Sequence, residues 1–170
     1  AQNTHMIDNF ESYSLYNPLK PDLSETWKAQ TENGSNALVS LEGIANKNLR
    51  LDYDNSQSSY ISEAYRDFSP ARDFTKDPPI LTFYLKGKAI NAADQIYCRL
   101  VDSQNQSGVQ RIADTSLVKS DDWVQINFDL SEFSSIDLKE ITRMVIGVGH
   151  DNPSGPTGAG TIWIDEIGQV

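Results

Sequence analysis

The sequence predicts an all-β protein, an antiparallel two-sheet β-sandwich of the jelly-roll type. Apolar and polar residues alternate with a period of two in many short stretches, which is the pattern of strands with one buried face. Turn-forming residues, such as Asp77-Pro78-Pro79, separate these stretches. Only residues 135–143 have room for a helical turn, so no helix is long enough to connect parallel strands. Antiparallel pairing follows.

The alternation defines the elements in order along the chain. We expect ten or eleven strands separated by turns. A Gly- and Pro-rich connection over residues 150–160 is expected between the last two strands. The acidic, apolar motifs at the two ends of the chain predict that the first and last strands are adjacent. The expected strands cover residues 6–10, 27–30, 37–41, 48–53, 60–68, 80–87, 95–103, 108–114, 124–130, 143–149 and 161–167.

Length and composition indicate a single secreted domain. A chain of 170 residues buries a full core without disulfides, and Cys98, the one cysteine, is expected to be a small core residue. Residues 1–5 are expected to be a disordered start and residues 6–170 one module. No apolar run reaches membrane-spanning length. The start is compatible with a mature N-terminus, and the scarcity of Lys and Arg suits a secreted or cell-surface protein.

The formal net charge of -10 bears on the ligand. Nucleic acid and anionic membranes are disfavoured as partners, because both are bound through an excess of Lys and Arg. Neutral glycans are favoured over uronates and sulfated chains for the same reason, unless a bound cation reverses the local field.

Catalytic motifs are absent from the sequence. The only histidines are His5, in the expected disordered start, and His150, which is expected to be a solvated loop residue. A glycosidase needs two carboxyl groups at a set separation, and 24 acidic residues neither show nor exclude such a pair. An enzyme, for example a lyase or glycoside hydrolase, is therefore the least favoured interpretation.

Acidic residues cluster in the terminal motifs, over residues 7–11 and 162–167. If the terminal strands pair, these carboxylates converge and repel one another unless a hard cation joins them. Ca²⁺ takes oxygen ligands of this kind. The alternative is that the acids simply face water.

Several aromatic residues fall on the polar-facing register of strands, namely Tyr60, Tyr84, Tyr97 and Trp163. A sugar ring stacks its apolar face on Tyr or Trp and exchanges hydrogen bonds with neighbouring polar groups. The alternative is that these rings cover sheet edges or pack under loops. By contrast, the sequence predicts core positions for Trp123, Phe128 and Phe133.

Taken in order, these motifs resemble family 11 carbohydrate-binding modules. The resemblance runs from about Ile7 to Ile167, is shared with families 30 and 44, and implies the galactose-binding-like jelly-roll fold. It is carried by Asp8-Asn9-Phe10-Glu11, Leu49-x-Leu51-x-Tyr53, Tyr60 with Tyr65, Leu81-x-Phe83-x-Leu85-Lys86-Gly87, Trp123-x-x-x-x-Phe128-x-Leu130-x-x-Phe133 and Ile164-Asp165-Glu166-Ile167.

The resemblance implies a site and a cofactor. A concave inner sheet would grip a polysaccharide, such as a β-glucan, and Tyr60 corresponds to a stacking tyrosine. At least one structural Ca²⁺ would lie near the paired termini. Asp8, Glu11 and Asp165 fall in the terminal acid motifs, and the segment 42–48, with Asn46, corresponds to a loop that lends carbonyl oxygens to the metal. Such modules belong to large secreted bacterial proteins, so neighbouring domains are expected.

Two functions follow as hypotheses. The first is a non-catalytic carbohydrate-binding module. The second is a structural or adhesion module of a multidomain surface protein without a glycan site, which the small residues Val145, Gly147 and Gly149 support, although they are equally compatible with an open pocket. For the first, the candidate ligand contacts are Tyr60, Arg66, Tyr97, Arg99 and Gln110 on polar strand faces, with His150 and Asp151 at the rim.

Overall fold

The protein is an antiparallel two-sheet β-sandwich, with eleven strands in the part of the chain that the structure describes. The computed structural model describes residues 5–14, 16–29, 34–151 and 155–170. All eleven segments predicted from the alternation contain a strand, which confirms the predicted fold class. The strands are β1 His5–Asp8, β2 Trp27–Lys28, β3 Leu38–Glu42, β4 Asn48–Asp54, β5 Ser62–Arg72, β6 Ile80–Lys86, β7 Ile96–Asp102, β8 Ser107–Arg111, β9 Val124–Asp129, β10 Ile141–Val148 and β11 Ala159–Gln169.

The six-stranded sheet has the order β3-β4-β11-β6-β9, and β1 pairs with the second half of β11. His5 pairs with Gln169, so the first and last strands are adjacent as the terminal motifs predicted. The β6 pairing of β11 is interrupted between Asp165 and Gly168, where Glu166 has a φ of 49°. This irregularity turns the acidic C-terminal motif out of the regular ladder.

The five-stranded sheet has the order β2-β5-β10-β7-β8. Strand β10 lies at its centre, paired antiparallel with β5 on one side and β7 on the other. The residues Met144, Ile146 and Val148 of β10 belong to the hydrophobic core between the sheets. Because side chains alternate along a strand, Arg143, Val145 and Gly147 lie on the other face, which is directed away from the six-stranded sheet.

The core confirms most of the predicted interior positions. Phe128, Phe133 and Cys98 are buried, and Phe128 lies with its ring centroid 5.8 Å from that of Phe83. The prediction for Trp123 is wrong, because its side chain is 41% exposed. Trp123 precedes Val124, the first residue of β9, and has the outward register of Gln125 and Asn127, which are also exposed.

The structure also defines two local features. His5 begins β1, and its Nδ1 lies 2.8 Å from Asp77 Oδ1, so only residues 1–4 of the expected disordered start lie outside the described residues. Residues 135–143, the stretch with room for a helical turn, contain a turn in which the Glu140 N–H donates to the Asp137 carbonyl over 3.1 Å. The short 3₁₀ helices occur instead at Leu23–Glu25, Leu117–Lys119 and Leu130–Glu132, each directly before or after a strand or turn. Within the described ranges, no helix is long and apolar enough to cross a membrane.

Candidate functional site

The outward face of the five-stranded sheet, here called the five-strand face, carries a dense layer of polar and aromatic side chains. Alternation places on it Glu63 and Tyr65 of β5, since Ala64 between them belongs to the core. Tyr97 and Arg99 of β7 lie on the same face, because Ile96, Cys98 and Leu100 point inward. The face therefore brings together residues that are 36 positions apart in the sequence.

Hydrogen bonds join these residues into one cluster. Tyr97 Oη donates to Glu63 Oε2 over 2.6 Å, and Arg99 Nη2 donates to Glu63 Oε1 over 3.1 Å. The Glu63 side chain is 1% exposed and that of Arg99 is 8% exposed. Burial raises the pKa of the Tyr97 hydroxyl, and the neighbouring Glu63 carboxylate raises it further. Tyr97 is consequently a proton donor at every physiological pH.

Gly147 explains how Tyr97 fits. In the pairing register, Gly147 lies between Glu63 on β5 and Tyr97 on β7. A Cβ atom on Gly147 would lie 2.2 Å from Cζ of the Tyr97 ring, which is impossible without displacement. The ring therefore lies flat over the glycine. The small residues of β10 do not open a pocket at this point, because Tyr97 fills the space above Gly147.

Two arginines cover the aromatic rings of the five-strand face. The guanidinium carbon of Arg111 lies 4.3 Å from the centroid of Tyr97, and that of Arg143 lies 4.1 Å from the centroid of Tyr65. Arg111 donates to the Gly149 carbonyl over 2.5 Å, and Arg143 Nε donates to Asp67 Oδ1 over 2.6 Å. These anchored cations leave little ring surface for a sugar to stack on.

A cavity of about 530 Å³ lies at the Arg143 end of the face. Its size falls within the range of small-ligand sites. Its walls mix polar and apolar groups, which suits a ligand with both hydroxyls and C–H surfaces. The lining residues are Asp67, Phe68, Val101, Asn105, Thr142 and Arg143.

Three of the predicted ligand contacts lie at the opposite end of the five-strand face. Tyr60 lies in the turn before β5, has a φ of 62° and donates its N–H to the Gln57 carbonyl. A Cβ on Gly149 would lie 3.2 Å from the Tyr60 carbonyl oxygen, so the Tyr60 turn borders the end of β10. His150 follows Gly149, with its Nδ1 2.5 Å from Asp94 Oδ1, and the exposed Asp151 comes next.

Arg66 and Gln110, the other two predicted contacts, point to the opposite side of the sheet. Arg66 alternates with Tyr65, and its Nη1 donates to Asp8 Oδ2 over 2.9 Å. Gln110 pairs with the core residue Cys98, and its Nε2 donates to the Asp129 carbonyl over 2.7 Å. Both side chains connect the two sheets. The structure therefore does not bring them together with Tyr97 and Arg99.

The predicted metal ligand Asp8 is fully engaged by protein groups. Its Oδ1 accepts from the Phe10 N–H, and its Oδ2 accepts from Tyr13 Oη, Trp27 Nε1 and Arg66 Nη1, all within 2.9 Å. A carboxylate that accepts from four donors, one of them a paired arginine, does not fit a Ca²⁺ ligand. Among the residues that the structure describes, no three acidic, histidine or cysteine side chains are grouped to hold a metal ion.

Glu11 and Asp165 retain the donor chemistry of a calcium site. Burial, together with the nearby carboxylates of Glu166, Glu11 and Asp8, raises the pKa of Asp165 to about 6. A bound cation would relieve this repulsion. Glu11 Oε1 already accepts the Lys47 N–H over 2.6 Å, next to Asn46, which has a φ of 57°. The predicted set is thus reduced to Glu11, Asp165 and carbonyl oxygens of the Asn46 loop.

Calcium binding stays a prediction with a direct test. We expect chelation to lower the melting temperature, because a ligand of the folded state alone stabilises by about 2.7 kcal/mol at a hundredfold excess over its dissociation constant. Asp165→Asn should remove the response to chelation. An unchanged melting temperature, together with a metal-free native mass spectrum, would eliminate calcium.

The fold is similar to those of several solved structures. A family 11 carbohydrate-binding module from Clostridium thermocellum, in complex with a β-1,3-1,4-mixed-linked tetrasaccharide, matches with a TM-score of 0.64 and 17% identity over 98% of this chain and 95% of that chain. A family 30 carbohydrate-binding module matches with a TM-score of 0.56 and 15% identity, over 82% of this chain and 75% of that one. The chain has the fold of these modules.

An exo-β-agarase is similar over a single region. It matches with a TM-score of 0.69 and 16% identity over 96% of this chain, which spans only 25% of the agarase chain. No protein-family model matches the sequence, and no curated protein is significantly similar to it. The predicted resemblance to families 11 and 30 is confirmed at the level of the fold.

Four residues of the five-strand face were not predicted from the sequence. They lie on the polar register of their strands, but so do many solvated charges, and they are Glu63, Asp67, Arg111 and Arg143. The signal that distinguishes them is cross-strand pairing, since Tyr97 pairs with Arg111 and Arg143 pairs with Asp67. This register depends on which strands are neighbours, and alternation along a single strand does not contain that information.

Proposed function

We propose that this chain is a non-catalytic carbohydrate-binding module that holds a polysaccharide across the five-strand face. The observation that carries the proposal is the buried cluster of Glu63, Tyr97 and Arg99 on the outward face of a sheet, in a fold shared with carbohydrate-binding modules. A buried ion pair is weak evidence for added stability. Its position outside the hydrophobic core is better explained as a rigid support for ligand-binding groups.

The chemistry of the face suits sugar hydroxyls. Arg111 and Arg143 offer planar arrays of donors, and the half-exposed Asp67 carboxylate offers acceptors. Glu63 is 1% exposed and instead holds Tyr97 and Arg99 in position. Each sugar hydrogen bond adds only about 0.5–1.5 kcal/mol net, because it replaces a hydrogen bond to water. With its rings covered, the face should bind no tighter than roughly micromolar, about -8 kcal/mol.

The arrangement of acids supports binding without catalysis. Glu63 and Asp67 lie four residues apart on β5, which separates their Cα atoms by about 13 Å along a strand. Each carboxylate is also paired with an arginine, Glu63 with Arg99 and Asp67 with Arg143. A retaining glycosidase needs carboxyl groups about 5 Å apart and an inverting one about 6.5–9.5 Å apart. This pair matches neither geometry.

We further propose a β-linked glucan as the first ligand class to examine and a longer secreted protein as the setting. The first rests on the family 11 module whose structure contains a mixed-linked tetrasaccharide. The second rests on the agarase, of which this chain spans a quarter.

Tyr60→Ala tests the site. Tyr60 is the aromatic residue at the open end of the face, in a turn rather than in a strand. Its loss should weaken glycan binding roughly tenfold or more, because stacking on one ring contributes about 1.4 kcal/mol to the binding free energy, which corresponds to a tenfold change in affinity. The measurement is affinity electrophoresis and calorimetry with soluble β-glucans, xyloglucan, mannans and galactans.

Tyr16→Ala is the matched control. Tyr16 is 91% exposed, and it lines a different cavity beside Leu41 and Ile44. Equal binding by the wild type and both variants would place the site elsewhere. A wild type that binds none of these glycans would favour the second function, an adhesion or spacer module.

A further inference from the structure

The outward face of the six-stranded sheet carries two tryptophans, the exposed Trp123 and the half-buried Trp163. Trp163 of β11 lies between the core residues Ile162 and Ile164, so it points outward. Trp163 pairs with Lys86 on β6. Leu85 pairs with Val124 on β9, so Trp123, which precedes Val124, lies opposite Lys86 on the other side. The three residues form one row across three strands.

The spacing of this row suits a carbohydrate chain. Adjacent strands lie about 4.8 Å apart, so the backbones of Trp163 and Trp123 are about 10 Å apart with one strand between them. This separation is close to the length of a disaccharide unit, and two rings at that spacing can each stack on a sugar of the same chain. Two tryptophans placed two residues apart on the same strand would be too close together to stack on successive sugars in this way.

Cavities flank both rings. One of about 440 Å³ is bounded by Trp163, Trp123 and the groups around Lys86, and another of about 200 Å³ by Trp123, Tyr84 and the Asp165 bulge. The two share Trp123 and together form a cleft, here called the tryptophan cleft. Trp163 is held in place by a 2.8 Å hydrogen bond from its Nε1 to Glu42 Oε2.

Acidic side chains outnumber basic ones in the tryptophan cleft. Its walls carry two lysines and four carboxylates, namely Lys86, Lys88, Glu42, Asp121, Asp165 and Glu166. Such a set offers both donors and acceptors to sugar hydroxyls, and its excess of negative charge disfavours a uronate or sulfate. Lys88 Nζ lies 5.2 Å from the Trp163 ring centroid, a contact that a ligand can displace, unlike the anchored arginines on the other sheet.

We propose that the tryptophan cleft is a second glycan-binding site, in which Trp123 and Trp163 stack on two sugar rings of one neutral polysaccharide chain. It lies on the opposite sheet from the five-strand face, so one module would hold two chains or two segments of one chain. The proposal rests on the proposed carbohydrate-binding function but not on the location of the first site.

Intrinsic fluorescence separates the two sites. The chain has three tryptophans, and the third, Trp27, is 1% exposed and donates to Asp8 in the interior. A sugar on the five-strand face touches no tryptophan, whereas a sugar in the cleft contacts two. Titration with soluble cello-, mixed-linked gluco- and agaro-oligosaccharides should therefore give a saturable change in tryptophan emission.

Variants complete the test. Trp123→Ala should weaken binding at the cleft about tenfold and reduce the fluorescence change, while Trp123→Phe should retain most of the affinity. Tyr60→Ala should leave the fluorescence titration unchanged and weaken only one of the two sites in calorimetry. Trp123 is exposed at a strand end, so its loss leaves the fold intact, which a melting curve checks.

The outcomes are distinct. Glycan binding in calorimetry without a fluorescence change, and unaltered by Trp123→Ala, overturns the second site and leaves the proposed function standing. No binding of any oligosaccharide overturns both. Emission that changes with protein concentration in the absence of sugar overturns the glycan assignment in favour of self-association through the cleft.

Discussion

Phe128→Ala is expected to lower the free energy of unfolding by about 3–5 kcal/mol. Phe128 lies in β9, is 1% exposed and pairs with Leu81 on β6. Its ring centroid lies 5.8 Å from that of Phe83. Truncation removes buried apolar surface and leaves a cavity between the two sheets, which a rigid β-sandwich closes only in part. Urea unfolding followed by circular dichroism measures the change.

Asn127→Ala provides the control for Phe128→Ala. Asn127 is the preceding residue of the same strand and is exposed, so its truncation should change the free energy of unfolding by less than about 0.5 kcal/mol. If the two variants were equally stable, the assigned face of β9 would be inverted.

Asp8→Asn is the second large effect that we expect, a loss of about 3 kcal/mol of unfolding free energy. Asp8 is buried near the N-terminal strand, and its carboxylate joins Arg66 of β5 to Trp27 of β2 and to Tyr13. The amide is nearly isosteric but carries no charge, so the Arg66 guanidinium loses its partner. The cost should lie at the low end for a buried pair, because the Arg66 side chain is 25% exposed.

The control for Asp8→Asn separates the ion pair from calcium. Glu11→Gln keeps an oxygen that accepts the Lys47 N–H, and Glu11 is exposed, so it should cost little in the presence of a chelator. The effect of Asp8→Asn should be the same with and without chelator. A loss that disappears on chelation would mean that Asp8 acts as a metal ligand after all.

These expectations bear on how the module would work. Asp8 and Phe128 maintain the sandwich, whereas Tyr60 and Trp123 lie at its surface on opposite sheets. Variants of the first pair should lose stability, and variants of the second pair should lose ligand with the fold intact. That separation between scaffold and site is what a non-catalytic binding module requires.

The net charge illustrates a limit of composition. A total of -10 favoured neutral glycans. Yet the five-strand face places Arg99, Arg111 and Arg143 beside only two carboxylates, those of Glu63 and Asp67. Composition adds charges over the whole chain, while a ligand responds to those within about a Debye length, roughly 8 Å at physiological salt. Anionic oligosaccharides therefore belong in the ligand panel as well.

The sequence by itself determined the eleven strands, the all-β class and the adjacency of the terminal strands. Each of these depends on alternation or on paired motifs that are local in the chain, as in residues 124–130 and 162–167. Phe128 and Cys98 were assigned correctly to the core for the same reason. The alternation shows which side of a strand is apolar, and the apolar side is the one that becomes buried.

Only the tertiary structure decided which polar side chains meet. It directed Arg66 to Asp8 and Gln110 to the Asp129 carbonyl, although both had the polar pattern of ligand contacts. It also aligned Trp123, which alternation places on the outward register of β9, with Trp163 across an intervening strand. The reason is physical: alternation distinguishes apolar from polar positions, but strand order and register determine the partner of each polar group.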